Sequence, residues 1–176
     1  MRSMTMTLVA LGCATAMYAQ SSLSTELKQN YNQVKGDVTK AAADMPDSAY
    51  GFVPGKGSRT YGQAVVHIAE VQAAVCGMAS GAAAPTIDTA KTSKADSVAA
   101  LKAAFDFCDP IYAAATDADA SKIVKMFGRD RTKFGTLDVG VIHTNEMYGT
   151  LAVYLRAKDM VPPSSAGRGN TGKKKE

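Results

Sequence analysis

The chain has 176 residues, enough for one domain with a substantial core and too few for two. Its formal net charge of +4 comes from its ends, because residues 20–166 hold 15 basic and 15 acidic residues. A folded body without net charge does not support nucleic-acid binding. We therefore expect one domain and no nucleic-acid partner.

The N-terminal residues have the order of segments that is typical of a secretory signal peptide. Arg2 is followed by an apolar run over residues 8–17 and then by alanine. The run is too short to span a bilayer, so we predict a signal peptide over residues 1–19 and no membrane span. Soluble export is favoured over a lipid anchor at Cys13. The mature protein is then periplasmic or secreted.

The first predicted helix begins at Leu23 and ends before Pro46, with Ser24 or Ser21 as its cap. Apolar residues recur every three or four positions, which marks one face of a helix. They are Leu27, Tyr31, Val34, Val38, Ala42 and Met45. The next segment, residues 46–59, is rich in Gly and Pro and has no period, so we predict a loop that its aromatic residues pin to the bundle.

The second predicted helix covers about residues 60–79, and a break over residues 77–88 leads into the third, about residues 93–116. Their inward faces are predicted to hold Ala64, Ile68, Val71, Val75 and Met78, then Val98, Leu101, Phe105, Cys108, Tyr112 and Ala115. His67 lies one turn from Ala64 and so faces inward. Pro110 is predicted to kink or split the third helix.

The segment after the third helix mixes charged and apolar residues and is predicted to be a connector with a short helix or turn, and no strand. The fourth helix covers about residues 136–158, with Leu137, Val141, Met147 or Tyr148, Leu151 and Tyr154 inward. Gly140 and Gly149 weaken it, and such glycines are usually kept where a neighbouring backbone comes close. Residues 166–176 are too polar to fold and are predicted to form a disordered basic tail.

Four amphipathic helices and no convincing strand predict an all-α four-helix bundle over residues 20–165, with a long connection between helices 2 and 3. Cys76 and Cys108 are the two cysteines that follow the predicted signal peptide. In an oxidising compartment they either pair or remain as two buried thiols, and the sequence leaves both open.

Two histidines, His67 and His143, fall on the inward faces of different helices. Metal sites in bundles are built from side chains on facing helices, so this placement permits one. Two histidines alone are a weak chelate, because zinc takes three protein ligands in catalytic sites. An inward histidine is also often a hydrogen-bonded core residue, and the residues alone do not decide between these interpretations.

Several motifs resemble the DinB-like four-helix bundle family. "TYGQAVVHIAEVQ" (60–72) is similar to the second helix of that family, and "HTNEMYGTLAVYLRAKDMVPPSS" (143–165) is similar to its last helix, especially in an exported bacterial branch. In metal-binding members, one histidine on the second helix and a His-x-x-x-His pair on the last bind a divalent ion, usually zinc or nickel. The resemblance implies His67 and His143 as ligands, with Met147 at the third position.

The methionine makes this metal site incomplete, because a thioether is a poor ligand for zinc or nickel. Either the pocket is vestigial, or Glu70 or Glu146 completes a His-His-carboxylate site. We expect the vestigial form.

Two functions follow from the resemblance, and the sequence assigns no catalytic residue to either. One is an exported, non-catalytic bundle that binds a small molecule or a second copy of itself. The other is a metal-dependent enzyme, a transferase of a small-molecule thiol or a hydrolase, that uses His67 and His143. The resemblance also implies a homodimer, for which the face bearing Tyr31 and Val38 is the candidate surface.

Overall fold

Four long helices make up most of the structure, a computed structural model that describes residues 22–167. They are α1 (Leu23–Asp44), α2 (Tyr61–Ser80), α3 (Lys94–Ala113) and α4 (Lys133–Arg156), with short 3-10 turns at Asp47–Ala49, Asp117–Ala120 and Pro163–Ser165. The predicted all-α four-helix bundle is confirmed. The predicted signal peptide and most of the predicted tail lie outside the described residues.

Each helix packs against two others. The α2 helix contacts α3 and α4, and α1 contacts the same two, so that α1 lies diagonally opposite α2. The predicted long connection between α2 and α3 covers residues 81–93. The connections at residues 45–60 and 114–132 are longer still, because each joins helices on opposite corners of the bundle. Within the described residues, no helix has the length and apolar content needed to cross a membrane.

Hydroxyl side chains cap the N-termini of all four helices. The caps are Ser22, Thr60, Ser93 and Thr132. Thr60 forms a full capping box with Gln63, which satisfies two backbone N–H groups at once. The cap of α1 is Ser22, which lies between the two predicted candidates Ser21 and Ser24, and its side chain accepts from the backbone N–H of Thr25.

The prediction that Pro110 splits the third helix is wrong. The α3 helix continues to Ala113, and the N–H of Ala114 donates to the carbonyl oxygen of Pro110 at 3.0 Å. A proline so close to the end of a helix removes one backbone hydrogen bond, and the last turn survives that loss.

A β-hairpin, which the sequence did not predict, occupies the connection to α4. Strands β1 (Ile123–Met126) and β2 (Arg129–Thr132) pair antiparallel around a two-residue turn. Phe127 and Gly128 both have positive φ, 49° and 79°, as a type I′ turn requires. Strands of four residues carry too few positions to show alternation, and the turn lacks the Asn-Gly or Asp-Gly pair that signals such hairpins.

A disulfide joins α2 to α3. Cys76 and Cys108 have their Cα atoms 5.6 Å apart and their sulfur atoms bonded, and both residues are fully buried. The pairing left open by the sequence is therefore present. Closing a loop with a sequence separation of 32 stabilises the fold by about 3–4 kcal/mol in the chain-entropy model.

The connection between α1 and α2 is pinned by its aromatic residues, as predicted. The hydroxyl of Tyr50 donates to the carbonyl of Ala42, and that of Tyr61 donates to Ala41. The Ala42 carbonyl lies in the last turn of α1, where carbonyls have no partner within the helix, and the Ala41 carbonyl accepts from Tyr61 as well as from the backbone N–H of Met45. The loop therefore lies in a fixed place over one end of the bundle.

The two α1 residues that marked the predicted dimer surface are not exposed, while the homodimer itself stays a prediction. Tyr31 is 3% exposed and Val38 is fully buried, and both belong to the core between the helices. The apolar spacing that suggested a surface for a second copy is already used by α3 and α4.

Candidate functional site

The two histidines lie side by side between α2 and α4. The ring centroids of His67 and His143 are 5.1 Å apart, and the ring planes meet at 75°. Their helices are neighbours in the bundle, and each histidine stands on the flank of its helix that faces the other. The structure therefore brings together the two residues that the sequence singled out.

His67 is three-quarters buried and has a carboxylate beside it. Its Nδ1 atom is 3.5 Å from Oε2 of Glu70, one turn along α2, and the Glu70 side chain is half exposed. This distance is longer than a direct hydrogen bond but close enough for an ionic attraction. Glu70 thus approaches the Nδ1 side of the ring, and the Nε2 atom of His67 is left for other partners.

His143 is also partly buried. Its Nδ1 atom is buried and has no hydrogen-bond partner among the described residues. Burial lowers the pKa of His143 below its ordinary value, the neighbouring His67 and Arg59 lower it further, and Glu146 acts in the opposite direction. At neutral pH the ring is therefore neutral, with a nitrogen lone pair free for a donor or a cation.

The third corner of the pocket, the position one turn after His143, carries a methionine. Met147 lies one turn after His143 on the same face of α4 and is 8% exposed. The carboxylates predicted as substitutes, Glu70 and Glu146, are on the outer side of their helices. Over residues 22–167, no three His, Cys, Asp or Glu side chains are grouped to hold a metal ion, so neither glutamate is gathered with the histidines into a three-ligand set.

The spacing of the two imidazole rings favours a metal site, whereas the chemistry of Met147 does not favour zinc or nickel. Two imidazoles that bind one ion at about 2.0 Å, at a near-tetrahedral angle, have centroids about 5 Å apart. The observed 5.1 Å agrees with that spacing. The donor set of two imidazoles and a thioether does not agree with zinc or nickel, which need a third nitrogen or oxygen here.

A groove of about 760 Å³ opens next to the histidine pair. Its lining includes Ala64, one turn before His67, and Met147, one turn after His143. The loop before α2 forms its other wall, and the hydroxyl of Tyr154 donates to the carbonyl of Arg59 at 2.6 Å to hold that loop against α4. A small molecule in the groove would therefore lie against the pocket.

Arg59 is a residue of this groove that the sequence did not single out. It is exposed, and its positive charge is near enough to His143 to lower the pKa of that ring. Loops have no periodicity, so spacing could not have placed Arg59 in the site. Its position directly before the capping box at Thr60 is the signal that could have placed it next to the start of α2.

Tyr148, which belongs to the motif of the last helix, has a structural role. Its hydroxyl donates to the side chain of Ser164 and accepts from the backbone N–H of the same residue, both at 2.8 Å. These bonds fasten the segment after α4 to the bundle. Tyr148 therefore holds this segment in place and is not part of the groove lining.

The fold and the paired positions on α2 and α4 define a class of protein, the DinB-type helical bundles. The family model of the DinB superfamily matches residues 30–150, and the chain belongs to that family. A crystal structure of a DinB-like protein from Bacillus cereus ATCC 10987 aligns with a TM-score of 0.68 at 18% identity, covering 78% of this chain and 93% of that one. A comparison with curated proteins gives no match. The predicted family is confirmed.

Proposed function

We propose that this protein is an exported DinB-family bundle that binds a small molecule in its groove, beside an incomplete form of a divalent-metal pocket. The observation that carries the proposal is the buried thioether of Met147, placed one turn from a pair of imidazoles with the spacing of a shared ion. The scaffold is retained, and the donor that zinc or nickel chemistry needs is replaced.

The shape of the groove supports small-molecule binding. Its volume of about 760 Å³ lies within the range of drug-sized ligand pockets. Its lining includes the exposed Arg59, the carboxylate of Glu146 and the apolar side chains of Ala64, Met147 and Val153. A lining with one cation, one carboxylate and apolar side chains suits a small ligand that has an apolar body and polar groups of its own.

The disulfide supports export. Structural disulfides persist in oxidising compartments and are rare in the cytosol. A buried Cys76–Cys108 bridge in the core therefore agrees with the signal peptide predicted over residues 1–19. Export is the part of the proposal that depends on the N-terminal segment.

Metal titration tests the vestigial pocket. We expect the wild-type protein to show no stoichiometric zinc or nickel binding at micromolar concentration by calorimetry. Met147→His restores a nitrogen at the third corner and should raise the affinity at least 100-fold. Met126→His is the matched control, because Met126 is also 8% exposed but lies in β1. One tightly bound zinc per wild-type chain would contradict the proposal.

The second candidate is a metal-dependent thiol transferase or hydrolase-like enzyme that uses His67 and His143. The ring spacing of 5.1 Å is the observation that favours it. Wild-type zinc binding that is lost in both His67→Ala and His143→Ala would select this candidate. The groove would then be the place of the thiol substrate.

A further inference from the structure

We propose that the histidine pocket is a site for a soft monovalent cation, Cu(I), bound by His67, His143 and the thioether of Met147. The inference rests on the proposed function, since it requires that Met147 has removed the preference for zinc and nickel. It assigns a use to the sulfur atom at the third corner.

The donor set is the first argument. Thioether sulfur is soft and neutral, and soft ligands select Cu(I) among the common biological metals, while imidazole nitrogen also suits copper. Two imidazole ligands and one thioether add no negative charge, which matches a cation of charge +1 better than a divalent one. A zinc or nickel site of this type loses affinity when its third nitrogen ligand is replaced by a thioether. Cu(I), by contrast, binds well to two imidazoles and one thioether.

The geometry is the second argument. The rings of His67 and His143 already have the separation that a shared ion needs. Met147 is one turn along the same face of α4, and the residue that lines the groove with it on α2 is the small Ala64. The methionine side chain is unbranched and has three rotatable bonds, so its sulfur can adjust toward an ion beside His143.

An unsatisfied polar atom is the third argument. The Nδ1 atom of His143 is buried and has no partner in the described part of the chain. Buried polar atoms in native proteins are nearly always paired, so this nitrogen is available to a partner from outside the chain. A bound cation in the pocket gives the His143 ring a partner, and Glu70 beside His67 is placed to orient the second ring.

The cysteines do not compete for the ion. Thiolates bind Cu(I) more strongly than thioethers do, but Cys76 and Cys108 are bonded to each other. In the oxidised protein the pocket is therefore the place where soft donors and imidazoles meet among the described residues. Cys13, in the predicted signal peptide, is replaced by serine in every protein tested so that no free thiol is present.

The test uses Ag(I), a redox-stable probe of Cu(I) sites, on the full chain carrying Cys13→Ser. Calorimetry should show one Ag(I) per chain, and an anaerobic competition with a chromophoric chelator should show the same for Cu(I). Met147→Leu, which preserves the volume of the side chain, should lower both affinities at least 30-fold. Met126→Leu is the matched control and should leave them unchanged.

A direct signature comes from NMR of protein labelled at the methionine methyl groups. The resonance that disappears in Met147→Leu should shift when Ag(I) is added, and the other methionine resonances should stay in place. His67→Ala should abolish that shift. Thermal melts without metal verify that each variant is folded, and a metal-dependent rise in Tm should follow the same order as the affinities.

The outcomes separate the two proposals. Absence of zinc binding together with Ag(I) binding that depends on Met147 supports both. Absence of zinc binding with no Ag(I) binding, or with binding that Met147→Leu leaves unchanged, overturns the copper site and leaves the vestigial divalent pocket intact. Stoichiometric zinc in the wild-type protein overturns the proposed function and the inference that rests on it.

Discussion

Replacing Gly140 with alanine tests the packing of the polar cluster next to the disulfide. A Cβ atom at this position would be 2.6 Å from the hydroxyl oxygen of Tyr112 and 3.1 Å from Oε1 of Gln72. The tyrosine hydroxyl donates to the carbonyl of Leu137 at 2.7 Å and accepts from the Gln72 amide. The amide oxygen of Gln72 in turn accepts from Thr144. The new methyl group therefore displaces a side chain whose hydrogen bonds are all buried.

The magnitude follows from opposing terms. Alanine is better than glycine inside a helix by about 1 kcal/mol. Overpacking a core site costs about 1–3 kcal/mol, and a buried hydroxyl left without its partner costs about 1–3 kcal/mol more. We expect Gly140→Ala to reduce the free energy of unfolding by about 3 kcal/mol, the middle of the range that these terms span.

Urea unfolding at neutral pH measures this loss, and Gly149→Ala is the matched control on the same helix. No atom lies within 4 Å of a Cβ built at Gly149, so the propensity term acts there alone and should stabilise the protein by about 1 kcal/mol. The two substitutions thus have opposite signs. Neither glycine has the close backbone that the sequence suggested for it, because the contacts of Gly140 are with side chains.

A double-mutant cycle with Tyr112→Phe identifies the cause. Removing the hydroxyl takes away the nearest atom, so Gly140→Ala should cost at least 1 kcal/mol less in the phenylalanine background. A wild-type or higher stability for Gly140→Ala would refute this account of the packing, as would an unchanged penalty in the cycle.

Other predictions concern the disulfide, a buried carboxylate and a close backbone contact. Reduction of Cys76–Cys108, or its replacement by two alanines, should lower the free energy of unfolding by about 3–4 kcal/mol, and reductant should have no effect on the double variant. The hydrogen bond from Lys122 lowers the pKa of the buried Asp119 to about 2 from 3.8. Because the lower pKa belongs to the folded state, a stabilisation of about 2 kcal/mol is present above about pH 4 and is lost as the pH falls toward 2. Asp119→Asn should remove that part of the acid dependence in urea unfolding. Gly62→Ala should destabilise by about 3 kcal/mol, because its Cβ would collide with a backbone carbonyl oxygen of the α2–α3 connection, which cannot rotate away as a side chain can.

Local patterns in the sequence were enough to predict the helices. Apolar residues every three or four positions mark a buried face wherever a helix packs on a core, and Thr60 with Gln63 is a start signal that needs no distant partner. The hairpin at residues 123–132 was not predicted, because its strands are too short to show an alternating pattern of apolar and polar residues. Its turn depends on the positive φ of Phe127, a backbone conformation that the phenylalanine side chain does not predict.

Pairings between distant residues required the tertiary structure. The sequence left Cys76 and Cys108 as a bridge or two thiols, because their separation depends on how α3 is aligned against α2. Tyr31 was predicted to lie on a dimer surface but is buried in the core of the bundle. The cause is similar, because an apolar stripe on a helix does not identify the element that packs against it.

The sequence by itself determined a four-helix bundle with two inward histidines, because both depend on spacing along one chain. The DinB type, with Met147 at the third metal position, came from the resemblance of the motifs at residues 60–72 and 143–165. Only the tertiary structure decided that the two rings lie 5.1 Å apart, that the glutamates stay on the outer side and that Arg59 borders the pocket. Those distances depend on the packing of α2 against α4 and on the loop pinned above them, and packing is a property of the whole bundle.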